Sequence, residues 1–164
     1  MLQPVVRRTW APRGKTPVHR SWDRHDRISV IGAVTLSPGR RRAGLYFSMH
    51  RNNIDAKESA RFIRRIRRQL GGRLLLVWDR LNVHRSAAPK LMRTGAVAIE
   101  WLPAYAPDLN PAESIWRQAK YGDLANFIPD DINHLAGHVA TSLILQRRDQ
   151  NLLRGFFRHA GLSI

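Results

Sequence analysis

The chain has 164 residues, enough for one domain with a sizeable core, since domains commonly run to about 100–150 residues. Its 28 Lys+Arg against 12 Asp+Glu give a formal net charge of +16, a surface that attracts polyanions. The size of that imbalance favours nucleic acid over an anionic membrane surface. The absence of cysteine excludes disulfides and Cys-ligated zinc. No apolar run approaches the ~18 residues of a membrane span, and the N-terminus lacks the apolar stretch of a signal peptide, so a cytoplasmic location is the default expectation.

Residues 1–27 have no clear periodicity. Pro4, Pro12, Gly14 and Pro17 punctuate them, and Arg7, Arg8, Arg13, Lys15 and Arg20 make them basic, which predicts a basic arm or loop. Trp10 and Trp22 either stack on bases or anchor this arm to the core. Ile28 to Leu36 and Ala43 to Met49 are β-rich runs, and the intervening Ser37-Pro38-Gly39 and arginines predict an antiparallel hairpin. Asp55 to Leu70 reads as a helix, with Asp55 and Glu58 fitting a capping box and Ile63, Ile66 and Leu70 on one face. Arg61, Arg64, Arg65, Arg67 and Arg68 cover the rest of it. They are either a solvated basic face or a DNA-contacting one. Gly71-Gly72 stops the helix.

Arg73 to Trp78 is almost entirely apolar, the pattern of a strand buried on both faces in a parallel sheet. It ends at Asp79. Ser86 to Thr94 is a short helix candidate limited by Pro89, and Val97 to Leu102 is a further strand. The alternation of strand and helix predicts an α/β fold with parallel pairing here. Trp101 to Lys120, WLPAYAPDLNPAESIWRQAK, then carries an apolar run through a proline-rich turn into a helix. Asn110 suits its N-cap, Pro111 its first position and Glu113 its third, where a capping box wants an acid. Ile132, Leu135, Val139 and Leu143 fall at helical spacing, and a last helix is predicted near Gln150 to His159. With no repeat and no linker, the chain reads as a single domain over 1–164.

Two carboxylates stand out. Asp79 sits at the C-terminal end of a strand, where ligands of open α/β sheets gather. Glu113 arrives on the first turn of the helix after the neighbouring strand. Each alone is explained by turn or cap chemistry. Together, with no histidine or cysteine ligands, they suit hard Mg²⁺ or Mn²⁺ ions. Two such ions roughly 4 Å apart serve phosphodiester chemistry. Asn82 and His84 are candidate neighbours of that site; His84 either touches phosphate, tunes the site or is a plain packed or exposed histidine. His134 and His138 lie four apart on a helix, but no third ligand accompanies them.

The runs VWDRLNVHRS and WLPAYAPDLNPAESIWRQAK closely resemble the DDE-type transposases of bacterial insertion sequences, in the mariner-like superfamily. The Leu-Pro-x-Tyr-x-Pro-x-Leu-Asn-Pro-x-Glu pattern is specific, and the arm's RRTWAPRGKTP resembles the segment after the family's first strand. The resemblance spans nearly the whole chain and weakens after about Ile128. It implies an RNase H-like mixed sheet with flanking helices. It also implies two Mg²⁺ or Mn²⁺ ions, with Asp79 as the second catalytic acid and Glu113 as the third, both of them metal ligands. The DNA-binding candidates are Arg7, Arg8, Trp10, Arg13 and Lys15. Where the family often has Asn after the second acid, this chain has Arg80.

The family's first strand and first Asp match nothing here, and Asp23 and Asp26 do not fit that role. The expectation is therefore an N-terminally truncated, partial endonuclease domain, incomplete alone: a degenerate element, a misassigned start, or the downstream half of a split reading frame in which an upstream transposase polypeptide supplies the missing strand. Element terminal repeats and target DNA are the implied partners, with a homodimer for synapsis. The alternatives are a non-catalytic nucleic-acid-binding remnant or another RNase H-like nuclease.

Overall fold

The computed structural model describes Arg8, residues 10–15 and residues 28–164. Arg7, Trp22, Asp23 and Asp26 lie outside the described residues, as does most of the arm expected over 1–27. Strands β1 (Ser29–Leu36) and β2 (Ala43–His50) form the antiparallel hairpin, in register from Ser29↔His50 to Leu36↔Ala43. Its turn is closed by Ser37, whose Oγ accepts from the Arg41 and Arg42 N–H groups at 3.2 and 3.1 Å. The two-residue period of β1 splits its side chains between two cores. Ile31 and Ala33 join one; Val30, Val34 and Leu36 join the other.

The first core lies under α1 (Ala56–Leu70), which buries Ala60, Phe62, Ile63 and Ile66. Asp55 caps it, its Oδ1 accepting from the Glu58 N–H at 2.7 Å. The reciprocal half of the expected capping box is replaced, because the Glu58 carboxylate pairs with Arg61. Gly71, at φ 73°, ends the helix with its N–H on the Arg67 carbonyl, a conformation that glycine adopts without a Cβ penalty.

Strands β3 (Leu74–Trp78) and β4 (Val97–Trp101) pair in parallel, Leu74↔Val97 through Trp78↔Trp101. The expectation that β3 is buried on both faces fails. Leu74, Leu76 and Trp78 pack under α1, but Leu75 and Val77 are 66% and 52% exposed. The reason lies in where the last helices go. Helices α3 (Pro111–Gln118), α4 (Ile132–Arg148) and α5 (Gln150–His159) pack on the β1–β2 hairpin and leave the outer face of β3–β4 bare. Among the described residues β1 pairs only with β2 and β3 only with β4, so the expected mixed sheet is present as two separate two-stranded pieces.

Helix α2 (Asn82–Met92) starts four residues before the predicted Ser86 and runs through Pro89. Its start was hidden because no side chain caps it; Leu81 holds the N-cap position, and the Leu81 N–H is taken by Asp79 Oδ1 at 3.2 Å.

The second core joins Leu45, Ile115, Val139, Leu143, Leu153 and Phe156. Each fully buried aliphatic side chain there contributes about 2 kcal/mol. Between α3 and α4 lies a π-helical turn, Ala119–Asp123. Asp123 at its end accepts from Ser142 Oγ at 2.5 Å and from Gln118 Nε2 at 3.2 Å. The start of α5 is fastened to the hairpin by Gln150, whose Oε1 accepts from the Ala43 N–H at 3.1 Å and whose Nε2 donates to the Ala43 carbonyl at 2.9 Å. No described helix is long and apolar enough to cross a membrane.

Candidate functional site

The parallel register of β3 and β4 brings their C-terminal ends to one edge, as the sequence predicts. Two bonds hold that edge. The Leu102 N–H donates to the Trp78 carbonyl at 2.8 Å, and Arg80 Nε donates to the Leu102 carbonyl at 3.1 Å. Arg80 thus ties the chain after Asp79 to the chain after β4, a role that nothing in the sequence signalled.

From Leu102 the chain passes through an exposed turn to α3. Tyr105 in that turn is fully exposed at φ 58°, a left-handed conformation that costs a non-glycine residue about 1 kcal/mol. Asn110 then caps α3, its Oδ1 accepting from the Ala112 N–H at 3.1 Å. The Asn110 N–H donates to the Pro107 carbonyl at 3.0 Å. A capping-box glutamate would accept from that same N–H, so Glu113 is not held as a reciprocal cap.

Helix α3 is set in place by its other face. Ile115 is fully buried, and the Trp116 indole lies against β1 at Gly32, where a Cβ would meet Trp116 Cη2 at 2.9 Å. Only a residue without a side chain allows that approach.

Asp79 and Glu113 are brought into one electrostatic neighbourhood. Burial raises the pKa of the Glu113 carboxyl, and the negative charge of Asp79 raises it further; Lys120 in the π-helical turn and Arg117 on α3 pull it down without cancelling the rise. For Asp79, burial pushes upward too, but its pKa is lowered overall by the hydrogen bond and charge of His84 and by the Leu81 N–H. The His84 Nδ1 to Asp79 Oδ1 distance is 2.5 Å. His84 is itself held flat against Trp78, ring centroids 4.2 Å apart and 15° from parallel, and Trp78 stacks on Trp101 at 6.3 Å. His84 thus contacts Asp79 and packs on Trp78. Asn82 opens α2 as an exposed residue two positions before it.

Two carboxylates close enough to repel in a half-buried setting are a poor arrangement by themselves. A divalent cation between them removes the repulsion that raises Glu113, so the donor set fits a hard metal ion. It is a partial set, because no group of three or more potential ligands occurs among the described residues. Arg117 and Lys120 were missed as members of this neighbourhood. Their spacing of four and seven residues from Glu113 was the available signal.

The arm candidates do not join this cluster in the described structure. Arg8, Arg13 and Lys15 are exposed around a turn closed by the Lys15 N–H on the Pro12 carbonyl at 3.0 Å. Trp10 is fully exposed, so it does not anchor the arm to the core. His134 and His138 pack around Phe127 at the start of α4, with His134 Nδ1 2.8 Å from Asp130 Oδ2. They serve as a local aromatic cluster there.

A family profile described as "DDE superfamily endonuclease" matches residues 1–134. The chain belongs to the DDE superfamily endonucleases. Among solved structures its fold is similar to that in the Mos1 strand transfer complex, with a TM-score of 0.62 and 14% identity over 96% of this chain and 46% of that one. The Mos1 mariner paired end complex with Mn gives a TM-score of 0.61 at 14% identity, over 98% of this chain and 48% of the other. The chain thus spans about half the length of these Mos1 chains, and the likeness establishes a mariner-type RNase H-like fold. No curated protein matches the sequence significantly.

Proposed function

We propose that this chain is the catalytic portion of an insertion-sequence transposase, acting on DNA strands at element ends through divalent metal ions. The observation that carries the reading is the pairing of Asp79 with Glu113, whose pKa the Asp79 charge raises, on a chain of net charge +16. Asp79 and Glu113 would hold the metal. Bound there, Mg²⁺ or Mn²⁺ supplies activation of the attacking oxygen and stabilisation of the leaving one in phosphodiester displacement. His84 orients Asp79 through Nδ1 and is kept from rotating by its stack on Trp78. Arg117 and Lys120 supply positive charge beside Glu113 for an approaching phosphate. Asn82, at the same edge, is a further candidate for contact with the DNA strand, and Arg7, Arg8, Trp10, Arg13 and Lys15 for contact with its backbone.

The same reading assigns the first acid to a strand not yet accounted for. In support, β1 and β3 pack under α1 in one apolar cluster, yet no pairing joins them among the described residues. A strand between them would satisfy both edges and end beside Asp79. We place the first catalytic Asp on such a strand, supplied by an upstream polypeptide. Two copies of the completed enzyme would hold the two element ends.

The test is nicking of DNA carrying the terminal repeats in Mg²⁺ or Mn²⁺. The chain supplemented with the upstream polypeptide should cut, and Asp79→Asn or Glu113→Gln should abolish cutting. Metal-dependent cutting that survives both substitutions would overturn the assignment. Failure of the upstream polypeptide to restore activity would overturn the split-strand part alone. A non-catalytic DNA-binding remnant, the second reading, draws on the incomplete ligand set. It predicts that Asp79→Asn leaves DNA affinity unchanged and that no added polypeptide confers cutting.

A further inference from the structure

Helix α1 runs back to the start of β3 through Gly71 and Gly72, and α2 runs back to the start of β4 through Gly95. Both helix C-termini therefore lie at the edge of the parallel pair opposite Asp79. The five residues of β3 separate the two edges by roughly 16 Å at ~3.3 Å per residue. A direct bond fixes the helices to each other there, Arg64 Nη2 donating to the Lys90 carbonyl at 3.1 Å.

The cations of both helices and both turns converge on this pole. Arg64, Arg65 and Arg68 lie along the outer side of α1, away from Phe62, Ile63 and Ile66. Arg73 sits in the first turn, Lys90 at the end of α2 and Arg93 in the second turn, and all six are exposed. Among the described residues no carboxylate pairs with any of them. From residue 59 to residue 99 the only carboxylate is Asp79, at the far edge. Glu58 is occupied by Arg61 at the other end of α1.

Like charges three and four apart on one helix face destabilise it. A face that concentrates them without counter-charges is balanced by an external polyanion. Five of the six are arginines, whose planar fork matches phosphate oxygens. The exposed apolar residues at this pole are Leu70 and Met92, and neither offers a ring for an unstacked base. A single-strand site pairs its cations with such aromatic platforms. The chemistry left is that of a duplex held by its backbone, without regard to sequence.

We infer that the α1–α2 pole is a second DNA-binding surface, which holds a duplex segment by its phosphates while the strand being processed occupies the Asp79–Glu113 edge. The inference rests on the reading that the protein acts on DNA, but not on its metal chemistry. A duplex seated here is too far from the carboxylates to be the one cut at that moment. The surface gives the protein a grip on a neighbouring stretch of DNA.

The experiment is the salt dependence of binding to a random-sequence duplex, measured without divalent metal on the full chain. Each phosphate contact contributes about 0.9 to the slope of log K against log salt. Arg65→Gln/Arg68→Gln/Arg73→Gln, which spares the Arg64 bond to α2, should lower the slope by about 2 to 3, with an unchanged far-ultraviolet spectrum and thermal transition. Arg147→Gln/Arg148→Gln/Arg158→Gln removes the same charge from exposed positions on α4 and α5 and should lower it by less than 1. Equal losses from the two triples would mean that only net charge matters, and would overturn the inference. So would an unchanged slope in the first triple, or a single-stranded oligonucleotide that shows the same loss and binds as tightly as the duplex. Because the binding is measured without divalent metal, a failed catalytic assignment does not touch this result.

Discussion

Gly32→Ala is the sharpest perturbation of the link between core and site. The added Cβ would lie 2.9 Å from Trp116 Cη2, 3.1 Å from Cζ2 and 3.6 Å from Ile115 Cδ1. Carbon atoms pack at about 3.5–4.0 Å, so the indole must retreat by at least about 0.6 Å. Ile115 beside it is fully buried and fixes α3, so the retreat falls on the Trp116 side chain, which is half-buried. Overpacking of this kind costs about 1–3 kcal/mol. For a chain of this length, each 1 kcal/mol lowers Tm by about 2–4 °C. A loss near 2 kcal/mol therefore appears as roughly 4–8 °C. The control is Trp116→Phe, which removes the two offending ring atoms. In that background Gly32→Ala should cost about 1–2 kcal/mol less, read as a coupling energy in a four-variant urea series. Because α3 carries Glu113, Gly32→Ala should also weaken Mn²⁺ binding, and Trp116→Phe should recover part of it. Equal costs of Gly32→Ala in both backgrounds would refute the claim that the glycine is there to admit the indole.

Two further outcomes concern the carboxylates. In metal-free buffer Glu113→Gln should stabilise the fold by about 0.5 kcal/mol at pH 7. The folded-state pKa of Glu113 is raised by burial and by Asp79, so its ionisation weakens the fold as pH rises from the ordinary carboxyl value through the raised one. The gain should vanish below that window, and added Mn²⁺ should reverse the order of the two proteins; a variant less stable than wild type at pH 7 without metal would contradict the like-charge account. His84→Ala acts on Asp79 with the opposite sign. The lowered pKa of Asp79 contributes stability above the ordinary value of 3.8 that is lost as pH falls through the lowered one. Without His84, burial is left to push the carboxyl up. Urea midpoints between pH 2 and 6 should then show wild type losing relative stability toward acid and the variant losing less, and parallel curves would count against the His84 contact.

What the sequence made legible follows from the range of the interactions concerned. The hairpin, α1 and α5 were set by local period and by caps such as Asp55, and their observed limits fall within a residue or two of those read from the pattern, whereas α4 runs on to Arg148, past Leu143, the last apolar position of its pattern. Asp79 and Glu113 were legible because each closes a local strand or opens a local helix, and the parallel register of β3 and β4 does the rest. Helix α2 was read four residues short because its start has no capping side chain; the acid that might have capped it, Asp79, turns instead to Leu81 and His84. The exposure of Leu75 and Val77 was illegible because it depends on which strands α3, α4 and α5 choose to cover, a tertiary decision that a run of leucines does not encode. The same holds for Gly32. As a glycine inside a strand it signalled only some close approach, and Trp116, distant in sequence, defines which.

The Gln150 side chain also bears on how the outer margin of the hairpin meets its surroundings. Its amide offers Ala43 one acceptor and one donor, the same pair that a peptide group in a neighbouring strand would present. At this residue the helix acts as a one-unit surrogate strand. A foreign β-strand zippering along β2 from its first residue finds that place already taken. A single glutamine thus screens the opening of an edge strand against mispairing, and Gln150→Glu, which keeps the acceptor but loses the donor, would leave the Ala43 carbonyl facing a like-signed oxygen.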